Sequence, residues 1–452
     1  MLLEADPTSQ PQTAIRHGLP PGPRLPRALQ TVLLWSARNR YLAWGRRRYG
    51  DAFTVRAAPS AGPLVFLADP ADVKTVFTGD VRTFHAGEGN ALLEPLVGPR
   101  SVLLLDEDEH LRERKLMLPA FHGERIAAVV DLMRERTTLE VARWQDDETV
   151  RILPRMHALT VDIIVRVVIG VDDEARAAEL RSALRKILAL RPWHLLVWLR
   201  PELERIGPWR QLREDVEHAD RLLHDEIARR RGSNPTHPGD DVLSMLLQAH
   251  TDSDPAHPGE LDIAAVRDEL VTLLVAGHET TATGLAWAFE LLHRHPAALA
   301  HVRAGLDDDR DPYLDAVVKE TLRVRPVIHD VARLLTQPAV VAGWELPAGT
   351  MVMPSIGLLH ADSAHHPDAA AFRPERWLDG SPPPYSWIPF GGGPRRCLGA
   401  TFATTEMATV LRTVLRAVEL RLVEPRPEKV RVKHITLVPA RGVPAQVTRR
   451  LA

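Results

Sequence analysis

A single cysteine stands in a glycine-rich loop, in a setting typical of a metal ligand. Cys397 is the only cysteine of the chain, and it ends the run Phe390-Gly-Gly-Gly-Pro-Arg-Arg-Cys397. A sulfur in front of a helix faces unpaired backbone N–H groups and the positive end of the helix dipole, which favour thiolate over thiol. The loop therefore predicts a metal-bound thiolate, and the alternative is a buried structural cysteine. The helix is predicted from the apolar spacing of Leu398, Phe402, Met407, Leu411, Val414 and Leu415.

A second candidate site lies inside a long helical stretch. The pattern predicts a helix from about Asp262 to His293, and its middle reads Ala276-Gly-His-Glu-Thr-Thr281. Glycine and β-branched threonine are poor residues for a helix interior, and a threonine hydroxyl can bond back to the preceding turn and bend the helix. Such a conflict tends to mark function, although a tolerated kink is the alternative. His278 points away from the face of Glu279, so we expect a packing or surface histidine.

Two pairs of polar residues occur at helical spacing. Glu320 and Arg323 are three residues apart in a helical stretch from Tyr313 to Arg325, and His110 and Arg114 are four apart in a charged helix start. Each pair therefore shares one helix face. Taken alone, such pairs are usually solvated surface contacts worth about 0.5 kcal/mol or less.

The cysteine loop resembles the haem-binding loop of the cytochrome P450 superfamily. The resemblance rests on Phe390, Gly393, Arg395, Cys397 and Gly399, whose types and spacing match that signature. It implies that the Cys397 thiolate is the axial ligand of haem iron, where a thiolate favours O–O cleavage. It also implies that Arg395 reaches a haem propionate and that Phe390 packs near the sulfur. The cofactor implied is haem b.

The long helix resembles the oxygen-binding groove of the same family. Glu279 and Thr280 match its acid–alcohol pair, which delivers protons during oxygen activation and is assigned the catalytic role. Small Ala276 and Gly277 would leave room for dioxygen and substrate beside the haem.

The resemblance assigns further residues to structural and cofactor-binding roles. Glu320, Arg323 and Arg376, the last within Phe372-Arg-Pro-Glu-Arg376-Trp, match a buried charge network behind the haem loop.

Three more residues are implied as propionate contacts. Arg114 and Arg333 offer guanidinium groups, which suit carboxylates. His110 stands where many family members carry tryptophan.

The resemblance also places a set of mostly aliphatic residues around the substrate. For each of them, ordinary core packing is the alternative to pocket lining. Together they favour a hydrophobic substrate such as a fatty acid, terpenoid, steroid or macrolide aglycone, and the sequence does not identify which. The set is Leu92, Leu93, Leu96, Val97, Leu274, Val275, Val327, Ile328, Val331 and Ile435.

Length and patterning predict one large mixed domain over residues 1–452. The resemblance implies the family's fold, a triangular helical prism that is mainly α with a smaller β lobe and holds haem between two long helices. The 452 residues are 45% hydrophobic, enough for a large core. Residues 106–325 are predicted to be mainly helical. Thr54–Leu67, Val340–Met353 and about Val438–Arg449 are predicted to be strands, with turns at Gly343 and Gly349, and 231–260 and 379–384 are predicted to be surface loops.

The termini and the charge indicate where the protein works. Residues 1–19 are predicted to be a flexible segment with no apolar run of membrane-spanning length, so we expect no membrane anchor and a cytoplasmic protein. A net charge of −2 argues against nucleic-acid binding. No redox domain is apparent beside the haem region, so NAD(P)H-derived electrons are expected through a separate ferredoxin and ferredoxin reductase. A monomer is expected, and residue usage indicates an actinobacterial type of the family.

Three functions compete. The first is a monooxygenase that hydroxylates or epoxidises a hydrophobic molecule. The second is a haem-thiolate enzyme of other chemistry, such as a peroxygenase or an oxidative coupling enzyme. The third is a haem-binding sensor or carrier. The acid–alcohol pair favours the first, because peroxygenase members commonly replace it with Arg-Pro and a sensor has little use for it.

Overall fold

The structure, a computed structural model, describes residues 15–121, 123–171, 173–188, 207–232, 241–253, 262–308 and 311–451. Helices dominate these ranges, and from Glu107 to Val324 a single short strand interrupts them, as predicted. The α-helices are α1 (Arg27–Ser36), α2 (Arg38–Tyr49), α3 (Pro70–Thr78), α4 (Glu94–Val97), α5 (Glu107–Met117), α6 (Glu124–Val141), α7 (Ile152–Ile169), α8 (Glu174–Leu188), α9 (Gly207–Gly232), α10 (Val242–Ser253), α11 (Ile263–Arg294), α12 (Pro296–Ala304), α13 (Pro312–Val324), α14 (Ile356–His360) and α15 (Ala400–Ala417).

The strands form a smaller part of the molecule. They are β1 (Arg16–His17), β2 (Ala52–Val55), β3 (Leu64–Leu67), β4 (Phe84–His85), β5 (Thr149–Arg151), β6 (Arg333–Leu335), β7 (Ala339–Val341), β8 (Trp344–Leu346), β9 (Met351–Pro354), β10 (Val418–Leu422), β11 (Val430–Lys433), β12 (Thr436–Pro439) and β13 (Pro444–Arg450). The main sheet has the order β2-β3-β9-β6-β4, in which only β3 and β9 are parallel. Two three-stranded sheets, β1-β8-β7 and β10-β13-β5, and the hairpin β11-β12 complete the set.

The two helices predicted around the candidate site are confirmed to within one residue. Helix α11 begins at Ile263 because the Asp262 side chain caps it, accepting a hydrogen bond from the Ala265 N–H at 3.0 Å. Asp311 caps α13 in the same way. Proline at the first position of α13 fits a helix start, since the first N–H has no partner inside the helix.

The first predicted strand was too long, because Thr54–Leu67 runs from the end of β2 through a turn into the antiparallel β3. The prediction for Val340–Met353 is confirmed, since the stretch contains β7, β8 and β9. The chain turns at Gly343 and Gly349 as predicted, with φ of +72° and +79° that suit glycine. The predicted loop 231–260 contains α10, an apolar helix, among its described residues.

Regular structure in the N-terminal segment begins at an earlier residue than predicted. Residues 1–14 lie outside the described residues, but Arg16 and His17 form β1, parallel to β8. The Arg16 N–H donates to the Gly343 carbonyl at 3.0 Å, and its guanidinium lies 5.3 Å from the centre of the Trp344 ring. The predicted flexible segment 1–19 therefore extends too far.

Close helix packing around α11 builds the main core. Gly277 lies against α7, where an added Cβ would be 3.0 Å from the Ile164 side chain. Gly284 lies against α15, where an added Cβ would be 3.0 Å from the Met407 sulfur. The two glycines allow α7 and α15 to approach the same central helix closely. The buried residues of that core include Phe402, Met407, Leu411, Val414 and Leu415, as the helical pattern predicted.

A buried ion pair joins α13 to the chain in front of the cysteine loop. Arg323 and Glu320 are both inaccessible to solvent and make two parallel hydrogen bonds of 2.8 Å. The other N–H groups of Arg323 donate to the carbonyls of His360, Ala369 and Ala371 at 2.8–2.9 Å. The guanidinium therefore fixes three points of the segment 360–371 as well as its own helix.

Glu320 fixes the next part of the same segment. Its oxygens accept hydrogen bonds from the Arg373 backbone N–H at 2.9 Å, from Arg376 Nε at 3.1 Å and from Trp377 Nε1 at 2.9 Å. Burial alone would raise the pKa of Glu320, but the charge and hydrogen bonds of Arg323 and these donors lower it.

The segment in turn holds the approach to the cysteine loop. His360 Nε2 accepts a hydrogen bond from the Ile388 N–H at 2.9 Å, and His366 Nε2 lies 3.0 Å from the Ser386 carbonyl. The rings of Trp377 and Trp387 are in contact, with centroids 5.0 Å apart. The position of the loop therefore depends on the buried ion pair through one continuous set of contacts.

We expect Glu320→Gln to lower the free energy of unfolding by about 3–5 kcal/mol, because the buried guanidinium of Arg323 then lacks its counter-charge. Urea denaturation followed by circular dichroism measures the loss. The control is Arg373→Gln, which removes an exposed ion pair with Asp368 and should change stability by about 1 kcal/mol or less. Equal effects of the two variants would contradict the structural role of Glu320.

Candidate functional site

Backbone hydrogen bonding closes the cysteine loop. The Cys397 N–H donates to the Phe390 carbonyl at 2.9 Å, which brings the two ends of the run together. Gly391 and Gly393 turn the chain with φ of +67° and +65°, values that other residues rarely adopt. Helix α15 begins at Ala400, three residues after the cysteine.

The glycines of the loop also allow it to pack tightly on α3. A Cβ added to Gly392 would lie 2.4 Å from the Phe77 ring, and one added to Gly393 would lie 1.9 Å from the Phe77 carbonyl oxygen. A side chain at either position would force the loop away from α3. The ring of Phe390 contacts Trp387 edge to face, with centroids 6.5 Å apart.

Cys397 is accessible and yet lies deep within the protein. Its side chain has exposed surface, while burial raises the pKa of the thiol. The Gly399 N–H, Arg114 and Arg396 favour the thiolate, as predicted for a helix start, but burial outweighs them. The predicted effect of the helix start is therefore present, although burial outweighs it and raises the pKa of the thiol overall. A metal ion would supply the missing positive charge, since binding it removes the proton.

Basic side chains from three elements converge beside the loop. A small cavity is lined by His110 of α5, Arg333 of β6 and Arg395 of the loop, together with Phe77 and Asp106. Arg395 donates to the Asp106 carboxylate at 2.5 Å and to the Val102 carbonyl at 3.1 Å. The Arg333 guanidinium lies 5.6 Å from the centre of the Phe77 ring.

A positive charge on any one of these side chains disfavours a positive charge on the others. Burial lowers the pKa of His110 to about 3, helped by Arg395, Arg114 and Arg333. Burial also lowers the pKa values of Arg333 and Arg395 to about 10 each, with further lowering by neighbouring arginines. Cationic groups held together in this way stabilise an anion, and two propionates would relieve their repulsion. The predicted propionate contacts therefore lie together.

Helix α11 has accessible surface at only one place along its buried middle. From Asp268 to Leu292 every residue is buried except Val275, Ala276, Gly277 and Thr280. Ala276 is exposed there although it lies in the interior of the longest helix, so a gap faces it. Ala276 fits its predicted role beside a cofactor. Gly277 keeps partial exposure on the same turn, and its missing side chain also makes room for Ile164.

The two threonines of the helix differ in their surroundings. The Thr280 hydroxyl donates to the Ala276 carbonyl at 2.7 Å and is partly accessible, whereas Thr281 is buried. Ala276 and Thr280 are four residues apart and share the accessible face. The gap is therefore lined by Thr280, as the motif predicts, and not by its neighbour.

Glu279 is held by a hairpin that sequence reasoning did not connect with it. Lys433 Nζ donates to Glu279 Oε1 at 2.9 Å, Thr436 Oγ1 donates to the same oxygen at 3.3 Å, and His434 Nδ1 lies 3.5 Å from Oε2. Although burial alone would raise it, His434 and Lys433 lower the pKa of Glu279 to about 2. The acid is therefore a paired carboxylate.

His278 is a packing histidine, as predicted. It is buried, its Nδ1 is 3.0 Å from the Leu274 carbonyl, and its ring lies 5.8 Å from that of His157.

The predicted pocket residues fall into two groups. Val97 and Leu274 are 1% exposed and belong to the core, so they present no surface to a substrate. Val327, Ile328 and Ile435 come together at the hairpin: the Leu437 N–H donates to the Val327 carbonyl at 2.8 Å, and Ile328 pairs with Thr436 in a β-bridge. Ile435 at the hairpin tip is 59% exposed.

The arrangement fits a haem. An accessible thiol, a gap facing a helix at an alanine and a cluster of cations meet the needs of an iron ion, a flat ring and two carboxylates. Among the described residues, none of the helices has the length and apolarity needed to cross a membrane.

Comparison with known proteins agrees with this geometry. Residues 17–442 match the family model described as Cytochrome P450. The chain therefore belongs to the cytochrome P450 family. Members of the family are haem-thiolate monooxygenases. The putative cytochrome P450 135B1 of Mycobacterium tuberculosis is 45% identical over 436 residues, covering 95% of this chain and 91% of the relative. The putative cytochrome P450 135A1 of the same species is 44% identical over 432 residues, covering 95% of each chain.

Solved cytochrome P450 structures share the fold. A cyanobacterial CYP120A1 with bound retinoic acid superimposes with a TM-score of 0.83 at 23% identity, covering 96% of this chain and 100% of that one. The haem domain of cytochrome P450DA superimposes with a TM-score of 0.80 at 25% identity, covering 97% of this chain and 98% of that one.

Sequence reasoning missed three residues of this cytochrome P450 site. Asp106 pairs with Arg395 and also accepts hydrogen bonds from the backbone N–H groups of Ala86 and Gly87. Lys433 and His434 hold Glu279 from more than 150 positions away in the chain. No local pattern marks these partners, because the contacts arise from tertiary folding alone.

We expect Cys397→Ser to abolish the red-shifted Soret band that thiolate-ligated haem gives when reduced and bound to carbon monoxide. A serine hydroxyl cannot supply the thiolate on which that band depends. The control is Thr401→Ala, an exposed position in the first turn of α15, which should keep the band. Persistence of the band in Cys397→Ser would refute the ligand assignment.

We expect Arg333→Gln to release haem about 10–100-fold faster, because a hydrogen bond to a charged group contributes about 1.5–3 kcal/mol. Transfer of haem to apomyoglobin measures the rate. Arg112→Gln changes an exposed arginine on α5 and should lose haem at the wild-type rate. If both variants release haem equally fast, the basic cluster does not hold the propionates.

Proposed function

We propose that this cytochrome P450 inserts one atom of O₂ into a hydrophobic organic substrate, by hydroxylation or epoxidation. The cofactor is haem b, and the electrons come from NAD(P)H through a separate ferredoxin and ferredoxin reductase. The gap beside Ala276 and Thr280, on the accessible turn of an otherwise buried helix, is the observation that carries the proposal. Bound haem supplies the activation of molecular oxygen at its iron.

In this proposal the chain holds the cofactor from two sides. Cys397 would provide the thiolate that binds the haem iron. Arg114, Arg333, Arg395 and the neutral imidazole of His110 hold the propionates. Support comes from their lowered pKa values, which burial causes first and neighbouring arginines increase, and which two bound carboxylates would reverse.

In this proposal, side chains on the accessible turn of α11 deliver protons to the gap. The Thr280 hydroxyl donates to the Ala276 carbonyl at 2.7 Å, so its oxygen is held in a fixed position with free lone pairs toward the gap. A hydroxyl in that position can accept a proton from water and pass one on. Glu279, on the same turn, is the neighbouring carboxylate and orders the polar groups that reach the gap.

The substrate pocket is hydrophobic. Of the residues predicted to line it, Leu92 and Ile435 are largely exposed, and Leu93, Leu96, Val275, Ile328 and Val331 keep partial exposure. Val327 is nearly buried but joins the hairpin through its carbonyl. Apolar side chains with accessible surface inside a fold favour apolar ligands.

The proposed ferredoxin would dock near the cysteine loop. Arg112 and Lys115 on α5 and Arg396 in the loop are exposed. Ferredoxins are acidic, so these charges would steer the encounter. Arg395 is not part of this surface, because it is tied to Asp106.

We expect Thr280→Ala to uncouple turnover while the haem spectrum and ligand-induced spectral shifts stay unchanged. NADPH is still consumed, but a larger share appears as hydrogen peroxide, since each 1.4 kcal/mol of lost positioning changes a ratio of rates about tenfold. The measurement is the ratio of peroxide to NADPH consumed with a surrogate ferredoxin and reductase.

Thr281→Ala is the matched control, because Thr281 is buried and should leave coupling intact. Loss of coupling in Thr281→Ala alone would place the motif one residue further along. If neither variant changes coupling, the acid–alcohol mechanism is refuted and a peroxide-driven reaction becomes the better reading.

A further inference from the structure

The tip of the β11-β12 hairpin is attached to the catalytic turn of α11 by its polar side chains. Lys433 and Thr436 form the last pair of the hairpin, and only His434 and Ile435 lie between them. Lys433 and Thr436 contact one carboxylate oxygen of Glu279, and His434 approaches the other. Three of the four residues at the tip therefore hold the same acid.

The backbone of the tip is strained. His434 has a φ of +54°, in the left-handed region. That conformation suits glycine and costs about 1–2 kcal/mol for other residues. A histidine stays in such a conformation when its surroundings over-determine it, and strain of this kind gathers at functional sites. The contacts with Glu279 are the surroundings that fix this tip.

Lys433 is the counter-charge of Glu279. The titratable groups that face the acid are His278 on its own helix, His157 on α7, and Lys433 and His434 on the hairpin. Burial lowers the pKa values of His157 (to about 4) and His278, so both are neutral at physiological pH. The two groups that lower the pKa of the acid are therefore His434 and Lys433, of which Lys433 makes the shorter contact, at 2.9 Å.

The same tip carries part of the proposed pocket wall. Ile435 is 59% exposed between two residues that hold Glu279. Ile328, a second pocket residue, pairs with Thr436. A change in the position of Ile435 thus moves the partners of the acid.

We propose that Lys433 is a positioning residue that clamps Glu279 to the hairpin tip, so that the apolar wall at Ile435 and the acid of the proton-delivery pair move as one unit. The inference rests on the proposed function for the role of Glu279. It extends that function by making substrate fit at Ile435 a determinant of proton delivery. A substrate that displaces the tip therefore displaces the carboxylate with it.

Hydrogen exchange of the tip tests the clamp without any turnover. The haem-loaded protein, without substrate or reductant, is compared by mass spectrometry over a peptide containing residues 430–439. Lys433→Met and Glu279→Gln should each raise the exchange rate at the tip about tenfold. The double variant should exchange no faster than either single variant, because both changes remove the same contact.

Two further variants serve as controls. Arg431→Met changes an exposed residue of the same strand and should leave exchange within twofold of wild type. Lys433→Arg keeps the charge and should also stay within twofold. Single variants that exchange at the wild-type rate, additive effects in the double variant, or a Lys433→Arg protein as fast as Lys433→Met would each overturn the clamp.

Coupling assays then separate positioning from stability. With the surrogate ferredoxin and reductase, Lys433→Met should raise the peroxide fraction because the acid is no longer held in position, while Arg431→Met should not. An unchanged peroxide fraction in Lys433→Met would overturn the functional part of the inference. Failure of the proposed function would show instead in Thr280→Ala, whose coupling does not depend on the hairpin.

Discussion

The buried ion pair between Glu320 and Arg323 is the constraint on which the site depends. Two charges without solvent must satisfy every hydrogen-bonding group, and here they do so with carbonyls, a backbone N–H and an indole N–H from residues 360–377. That segment in turn holds residues 386 and 388 just before the cysteine loop. These contacts hold an irregular stretch of chain in one conformation. A loop that carries a metal ligand needs such support.

The arginine charges on the two sides of that loop are compensated to different degrees. Behind it, Arg323 is compensated by a carboxylate. Beside it, Arg333 and Arg395 share the carboxylate of Asp106, and burial together with neighbouring arginines still lowers their pKa values. Fully paired charges give a rigid frame, whereas crowded like charges store repulsion that a ligand can relieve. The first arrangement is typical of residues that stabilise the fold, and the second is typical of residues that bind a charged ligand.

Local patterns predicted the helices well and long-range partners poorly. Helix α11 was placed within one residue because its apolar pattern runs through adjacent positions. The Thr54–Leu67 stretch was read as one strand although a Pro- and Gly-rich turn separates β2 from β3. A sequence does not show which neighbours a helix will meet, so the contact of Gly277 with Ile164 was not predicted. Lys433 and His434 were missed because they meet Glu279 only through tertiary folding.

Because Cys397 is the only cysteine, the sensitivity of the protein to oxidants depends on whether haem is bound. With the proposed haem bound, the sulfur would be held at iron. Without haem, the thiol would stand in a chain with no second cysteine. A sulfenic acid formed there would have no internal thiol with which to close a disulfide, so further oxidation would run to sulfinic and sulfonic acids, which are not readily reversed. Loss of haem would therefore leave the proposed iron ligand open to irreversible oxidation.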